Sequence, residues 1–488
     1  MHHRQILALP LLLSGLLSCA TPAPEEPRRK PNFIIVFADD QGYGDLGVFG
    51  ATDFKTPRID QMASEGMKFT DFYAQAVCGP SRTALLTGSY PIRVGEYGNE
   101  KNNFPYVHEK EILLPKMLQQ AGYATGMIGK VDITARRRGW KPEVNPVRRG
   151  FDFFYGPVGA NDAGKVFWIH RNEEQIEEEH GVDDLTRIYT DEALDFIRQH
   201  KDEPFFLYIA HTMVHVVLGV TEPFAGRSER GLYGDAIEEL DASTGEIVDL
   251  LKELNLDQDT IVAYTADNGP WSNHSSEPYV SDIKAHAGDS GPLRGEKGTT
   301  WEGGIRVPTV MWGPGYIPAG TETTEVACTM DLLPTFIGMA GAELPADRTL
   351  DGRDIASLML GEEGAKSPHE AFYYYDEVHM DAVRSGDWKL VFPRPGRMEQ
   401  EWRLSTGGAF IGEILEPVSE LSLFNLRSDI GETTNVAADH PEVVERLTAL
   451  ADKGRNEIGD HDRIGTGARF YEDGPKWPRR QEWLSKHN

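Results

Sequence analysis

The run FIIVFADD at residues 33–40 decides the fold. Its first six residues are continuously apolar, which is typical of a strand buried on both faces of a parallel sheet. The run ends in the carboxylates Asp39 and Asp40. A second apolar run, TIVAYT at residues 260–265, is followed by Asp267 and Asn268. Because ligands bind where the carboxyl ends of parallel strands meet, we expect these four side chains to lie together.

Three carboxylates at one edge of a sheet would repel one another unless a cation joined them. Hard oxygen ligands of this kind suit Ca²⁺, and they suit Mg²⁺ less well. The sequence therefore predicts a cation site formed by Asp39, Asp40, Asp267 and Asn268. The alternative is that these residues only cap the strands, with residues 267–269 forming a simple turn.

Helical and strand-like patterns alternate through the first three quarters of the chain. The predicted helices are 113–121, 191–199 and 233–254, and the predicted further strands are 124–128, 204–210 and 307–312. This alternation predicts an α/β class with a doubly wound parallel or mixed sheet. Strand-like runs at 388–392 and 421–426, followed by a helix at 441–453, predict a small antiparallel sheet with one helix. We expect a catalytic domain at 32–364 and a C-terminal α+β subdomain at 365–488.

The run CGPSRTALLTG at residues 78–88 predicts a short helix with Cys78 just before its start. Pro80 suits the first helical position, and Gly88 suits the end. The unpaired N–H groups and the dipole at a helix start favour anions. Arg82 adds a planar cation that fits tetrahedral oxyanions. For a cysteine considered alone, a buried structural role beside a turn is the alternative.

Two lysines and a histidine follow predicted strands or lie in a glycine-rich loop. Lys130 comes directly after the strand at 124–128, and His215 comes shortly after the strand at 204–210. Lys297 lies in GEKGTTWEGG at residues 295–304, where glycines let a backbone approach a ligand closely. Each lysine considered alone could equally be a surface residue.

These motifs resemble those of the type I sulfatases, the formylglycine-dependent, arylsulfatase-like enzymes of the alkaline phosphatase superfamily. The resemblance covers residues 32–455 in order. It implies an alkaline-phosphatase-like sandwich with a central, mostly parallel sheet. It also implies that a formylglycine-generating enzyme oxidises Cys78 to formylglycine. Residue 78 would then complete a Ca²⁺ site with the four oxygen ligands named above.

The resemblance also implies a role for each cation of the site. The hydrated formylglycine attacks the sulfur, Arg82, Lys130 and Lys297 stabilise the sulfuryl oxygens, and His215 protonates the leaving oxygen. The chain departs from the family pattern Gly-Lys-Trp-His, because it has GKVD at 129–132 and so lacks the family's second active-site histidine. Asp132 could replace that histidine as the base, or His170 could serve.

The resemblance implies the hydrolysis of sulfate esters, either aryl sulfates or sulfated carbohydrates. One alternative is a phosphate or phosphonate ester hydrolase on the same scaffold. The other is a non-catalytic homologue that binds sulfated glycans, which the missing histidine motivates.

The composition restricts the partners. The formal net charge of −28 argues against nucleic acid as a partner. The basic loop at 135–149 stands out against this charge and either faces a polyanionic substrate or is a solvated loop. The three cysteines, Cys19, Cys78 and Cys328, form no disulfide framework.

The N-terminus predicts export. Residues 1–18 have the pattern of a signal peptide, and LLSC at 16–19 resembles a bacterial lipobox with a lipid anchor at Cys19. The alternative is an ordinary signal peptide that is cut near Ala20 or Ala23. Residues 19–31 are rich in proline and charge and predict a tether. We expect a periplasmic protein or an outer-membrane-anchored lipoprotein of a bacterium.

Overall fold

The computed structural model of this chain describes residue 1 and the ranges 29–94, 107–108, 110–133, 145–157, 166–271, 287–376, 378–394 and 417–469. The predicted signal peptide, Cys19 and most of the tether lie outside the described residues. Within these ranges, no helix is long and apolar enough to cross a membrane.

The strands form one large sheet and three smaller ones. In chain order they are β1 (Asn32–Ala38), β2 (Met67–Phe69), β3 (Phe72–Tyr73), β4 (Ala124–Gly129), β5 (Phe153–Pro157), β6 (Val166–Arg171), β7 (Glu174–Gly181), β8 (Phe205–Ala210), β9 (Thr260–Ala266), β10 (Thr309–Trp312), β11 (Thr321–Thr323), β12 (Ala327–Cys328), β13 (Phe372–Asp376), β14 (His379–Ser385), β15 (Trp388–Val391), β16 (Ser422–Asn425), β17 (Gly459–Asp460) and β18 (Arg463–Ile464).

The helices vary from single turns to six turns. In chain order they are α1 (Pro57–Glu65), α2 (Cys78–Thr87), α3 (Pro91–Val94), α4 (Leu114–Gln120), α5 (Leu185–His200), α6 (Leu232–Glu253), α7 (Glu302–Ile305), α8 (Leu332–Met339), α9 (Ala356–Met359) and α10 (Pro441–Glu457).

The large sheet has ten strands in the order β11-β2-β10-β9-β1-β8-β4-β5-β6-β7. Its centre, from β9 to β5, is parallel, while β10, β6 and β7 run antiparallel to their neighbours. Every residue of β1, β8 and β9 is buried, as expected for strands covered on both faces. The mixed sheet confirms the predicted α/β class.

The register of the central strands brings their carboxyl ends to one level. Ala38 pairs with Ala266, and Gly129 pairs with Ala210. The chain therefore leaves β1, β9, β4 and β8 side by side, as the sequence predicts.

Helices cover both faces of this sheet. The ring of Phe33 in β1 stacks on Phe336 of α8 at 4.2 Å, which places α8 on the Phe33 face. Ile34 points to the opposite face because side chains alternate along a strand, and it aligns through Leu207 with Gly126. A side chain at Gly126 would collide with the ring of Phe196 in α5. Thus α5 lies on the other face, which makes a sandwich.

Several predicted boundaries are shifted in the structure. Helix α2 begins at Cys78 itself, with Val77 as the N-cap residue, and Pro80 is its third residue. Proline is tolerated there because first-turn N–H groups have no intrahelical partner. Strand β10 begins at Thr309, not at 307, because Pro308 has no N–H to donate to the ladder. Helix α5 begins six residues before the predicted position 191, directly after a 3₁₀ turn.

The C-terminal strands form a separate antiparallel sheet in the order β13-β14-β15-β16. Helix α10 packs on β14 and β15. A second apolar core lies between this sheet and α10, with Leu447 and Ala451 fully buried. The predicted small antiparallel sheet with one helix is therefore confirmed.

Candidate active site

The four predicted oxygen ligands lie together at the carboxyl edge of the central strands. The backbone N–H of Asp40 donates to Asp267 Oδ1 at 3.0 Å, and Asn268 Nδ2 donates to Asp40 Oδ1 at 2.7 Å. Asp39 lies beside them, and all four side chains are buried. Burial and the neighbouring Asp39 carboxylate raise the pKa of Asp267 to about 7.

Three buried cations balance these carboxylates. Lys130 Nζ lies 2.6 Å from Asp39 Oδ2 and Lys297 Nζ lies 2.7 Å from Asp40 Oδ2. Arg82 Nη2 lies 2.8 Å from Asp267 Oδ2. Although burial alone would raise it, Lys130 and the other cations lower the pKa of Asp39 far below its ordinary range. Such pairing is what makes burial of so many charges tolerable.

Cys78 faces this cluster from the start of α2. Its Sγ donates weak hydrogen bonds to Asp39 Oδ1 at 3.3 Å and to Asp40 Oδ1 at 3.7 Å. Burial, together with the carboxylates of Asp267 and Asp39, raises the pKa of the thiol well above its ordinary value. The dipole at the start of α2 favours an anion here, but the nearby carboxylates have the larger effect on the pKa of the thiol. The unmodified side chain is therefore a neutral thiol and not a thiolate.

His215 joins the site from the segment after β8. Its Nε2 lies 3.6 Å from Asp40 Oδ2, and its Nδ1 hydrogen-bonds the carbonyl of Val216. Trp271 packs 5.5 Å from the imidazole ring and lies 5.4 Å below the Lys297 ammonium. Burial and the Lys297 charge lower the pKa of His215 to about 4. Without substrate, the imidazole is consequently neutral at pH 7.

Asp132 stands beside Lys130. Its Oδ2 lies 3.7 Å from Lys130 Nζ, and the side chain is buried. His170, the other predicted base, is on β6, which is two strands away from the β4 strand that precedes Lys130. Neighbouring strands are about 4.8 Å apart. Asp132 is therefore the better placed of the two candidates.

The oxygen ligands fit a hard cation. Asn268 Oδ1 is buried and has no hydrogen-bond partner within the described part of the chain. An orphaned amide oxygen next to three carboxylates is the donor set that Ca²⁺ or Mg²⁺ requires. Asp39, Asp40, Cys78 and His215 also bring potential ligand atoms within 4.8 Å of one another.

The C-terminal sheet contacts the loop that carries Lys297, which the sequence does not predict. The loop that carries Lys297 continues to Thr300, whose Oγ1 donates to Asp381 Oδ2 on β14 at 2.8 Å. Glu302, in the same glycine-rich run, accepts hydrogen bonds from Tyr374 and Lys389. No sequence signal identifies these pairs, because their members are more than 70 residues apart.

Only the end of the basic loop, residues 145–149, lies within the described residues. Residues 134–144, with its first three arginines, lie outside the described residues. Arg148 pairs with Glu173 at 2.6 Å, and Arg149 donates to the carbonyl of His108 at 3.0 Å. These two arginines therefore have protein partners.

Residues 31–342 match the sulfatase family model, and residues 367–471 match the model for the C-terminal region of aryl-sulfatase. The chain belongs to the sulfatase family. It is thus an enzyme of the sulfuric ester hydrolase class.

Relatives of this sulfatase cover most of its length. N-acetylgalactosamine-6-sulfatase from Sus scrofa is 38% identical over 413 residues, which cover 79% of this chain and 75% of the relative. Arylsulfatase A from Homo sapiens is 35% identical and covers 86% of this chain and 87% of the relative. The crystal structure of the PsFucS1 sulfatase from Pseudoalteromonas sp. has a TM-score of 0.73 and 27% identity, covering 87% of this chain and 90% of that one.

Proposed function

We propose that this sulfatase hydrolyses the sulfate ester of a sulfated saccharide through a formylglycine formed from Cys78, with Ca²⁺ at the four oxygen ligands. The convergence of Cys78 with three buried cations on one buried carboxylate cluster carries this proposal. The relatives named N-acetylgalactosamine-6-sulfatase support a sulfated amino sugar as the substrate class.

Oxidation explains how residue 78 becomes a nucleophile. As a thiol it is held neutral by burial and by Asp267 and Asp39, and a neutral thiol attacks poorly. The hydrated aldehyde of formylglycine would supply the oxygen nucleophile for sulfur, and Ca²⁺ would supply positive charge to the site. Asp39, Asp40, Asp267 and Asn268 would hold that ion.

The chain's own cations favour the transition state. Arg82, Lys130 and Lys297 bring three positive charges to the carboxylates that surround residue 78. Preorganised charges in a buried site stabilise developing negative charge without reorganisation. They would therefore bind the sulfuryl oxygens more tightly as the ester bond breaks.

His215 and Asp132 would handle the protons. The pKa of His215 is about 4 because of burial and Lys297, but a bound sulfate ester adds negative charge, which favours the imidazolium form. A substrate that enters the site therefore raises the pKa of His215, and the imidazolium would protonate the leaving oxygen from Nε2. Asp132, beside Lys130, takes up the proton when sulfate is released.

The predictions on processing and location extend this proposal. A formylglycine-generating enzyme acts on Cys78, the chain is exported, and Cys19 carries a lipid anchor in the periplasm or at the outer membrane. The catalytic domain ends near residue 364.

Mass spectrometry of the peptide that contains residue 78 tests the nucleophile. We expect the sulfur of Cys78 to be replaced by an aldehyde oxygen in active protein. Cys78→Ala should lower sulfate release at least about a thousandfold, because no other group takes the nucleophile's place. The matched control is Cys328→Ala, since Cys328 is an equally buried free cysteine. An unmodified thiol in fully active enzyme would contradict the proposal.

Chelation tests the metal. Removal of divalent ions should abolish turnover and lower the melting temperature, because three buried carboxylates lose a counter-ion. Calcium should restore both properties more fully than magnesium does. Full activity in a metal-free preparation would contradict the cation site.

A further inference from the structure

Arg394 is a buried cation with open hydrogen-bond donors. Its side chain is only about 4% exposed, yet Nη1 and Nη2 have no hydrogen-bond partner within the described residues. Its guanidinium lies 5.5 Å from the ring centre of Trp301. Burying a guanidinium costs free energy unless its N–H groups have hydrogen-bond acceptors. The two Nη atoms of Arg394 therefore need an acceptor.

The carboxylate of Asp381 does not accept hydrogen bonds from these two Nη atoms. Asp381 Oδ2 lies 3.4 Å from Arg394 Nε and already accepts from Thr300 Oγ1 at 2.8 Å. Asp381 Oδ1 hydrogen-bonds His379 Nδ1 at 2.6 Å. This carboxylate is therefore shared among three partners, and it meets the Nε side of the guanidinium. The two Nη atoms form the fork that suits a carboxylate or a sulfate.

Two histidines extend this group of residues. The rings of His379 and His461 stack at 4.3 Å. His379 Nδ1 is bound to Asp381, and His461 Nδ1 is bound to Asp460 at 2.9 Å. Each carboxylate orients its ring through Nδ1. The side chain of His461 is 29% exposed, so the group reaches the surface at His461.

The group lies close to the sulfate site. Lys297 Nζ contacts Asp40 in the active site, and Thr300 of the same loop contacts Asp381. The Cα atoms of Lys297 and Thr300 are three residues apart and therefore lie at most about 11 Å from each other. We therefore expect Arg394 to lie within reach of a sugar that adjoins the one carrying the reacting sulfate.

We propose that Arg394, assisted by His379 and His461, binds a second acidic group of the substrate. This group is an oxyanion, either a uronate carboxylate or a second sulfate, on the sugar adjoining the reacting residue. The natural substrate would then be an oligosaccharide with at least two acidic groups. This inference rests on the proposed sulfatase reaction.

Arg394→Gln tests this subsite with four substrates. These are 4-nitrophenyl sulfate and three disaccharides that carry the same reacting sulfate ester. The neighbouring sugar is neutral in the first disaccharide, a uronate in the second, and sulfated in the third. We expect kcat/KM to fall about tenfold or more for one or both acidic disaccharides, mainly through KM, because charge-assisted hydrogen bonds are lost. The neutral substrates should change less than about twofold. The acidic disaccharide with the larger loss identifies the preferred oxyanion.

Arg427→Gln is the matched control. Arg427 pairs with Asp387 near the same sheet, but its side chain is 62% exposed. Arg427→Gln should leave kcat/KM unchanged for all four substrates. If Arg394→Gln lowers kcat/KM equally for every substrate, or for none, Arg394 does not bind a second acidic group.

A second variant and a binding measurement keep the test decisive. If Arg394→Gln does not fold, His461→Gln at the exposed end should still reduce the preference for acidic disaccharides, and an unchanged preference would overturn the subsite. If wild-type protein releases sulfate from none of the substrates, the proposed reaction fails. Calorimetric titration of wild type and Arg394→Gln with the two acidic disaccharides then decides the subsite, and equal affinities would overturn it.

Discussion

Asp132 is one residue at which this sulfatase departs from the pattern that the family resemblance implies. The carboxylate lies 3.7 Å from Lys130 Nζ, and a neighbouring ammonium favours the ionised form of a carboxylate. In the proposed reaction, this carboxylate therefore serves in the release step in place of an imidazole.

Asp132→Asn should lower kcat about a hundredfold, because general-base assistance to sulfate release is lost. KM should change little, since the residue acts after the ester is bound. Asp132→His should recover much of the turnover and add a dependence on an ionisation near pH 6.5. The measurement is kcat between pH 5 and pH 8. Wild-type turnover in Asp132→Asn would assign the base to another residue.

Helix α2 is the element that positions Cys78, the proposed nucleophile. It delivers Cys78 and, one turn later, Arg82, and all ten of its residues are buried. It ends at Gly88, which has φ +62° and whose N–H donates to the carbonyl of Ala84. A side chain at Gly88 would contact Leu333 of α8 at 3.3 Å. The end of this helix is therefore determined both by backbone conformation and by packing.

Gly88→Ala should destabilise the protein by about 2–3 kcal/mol, through left-handed backbone strain plus overpacking against Leu333. Gly341→Ala is the control, because Gly341 has φ +68° but open space around its Cα. Gly341→Ala should lower the free energy of unfolding by only about 1 kcal/mol, because only the backbone is strained. Urea unfolding measures both, and equal losses would show that the contact with Leu333 adds nothing.

At the scale of the whole molecule, Glu302 joins the two-stranded sheet of β3 and β12 to the four-stranded C-terminal sheet. Its carboxylate is fully buried and accepts from Tyr73 of β3 at 2.6 Å and from Tyr374 of β13 at 2.8 Å. Lys389 of β15 lies 3.0 Å away. Burial by itself raises its pKa, but Lys389 and two arginines outweigh burial and lower it to about 2. The arginines are Arg306 and Arg384.

Glu302→Gln should destabilise the protein at pH 7 by about 3–5 kcal/mol, because it leaves buried cations uncompensated. A carboxylate with a lowered pKa stabilises the fold above its unfolded pKa of 4.5, and that contribution is lost as pH falls toward about 2. The difference in the free energy of unfolding between wild type and Glu302→Gln should therefore be constant above pH 5 and become smaller below pH 4.5. Denaturant unfolding at several pH values measures it. A gap that does not change with pH would rule out the ionised carboxylate as its cause.

The sequence by itself determined the class of fold, the ligand-bearing ends of β1 and β9, and the membership of the family. These features are readable because buried strands are continuous apolar runs and because the residues of each motif are close along the chain. The pairing of Arg394 with Asp381, the anchoring of Glu302 and the neutral state of Cys78 were decided only by the tertiary structure. They depend on side chains that are far apart in sequence, on loop conformation and on burial, and local pattern carries no information on these.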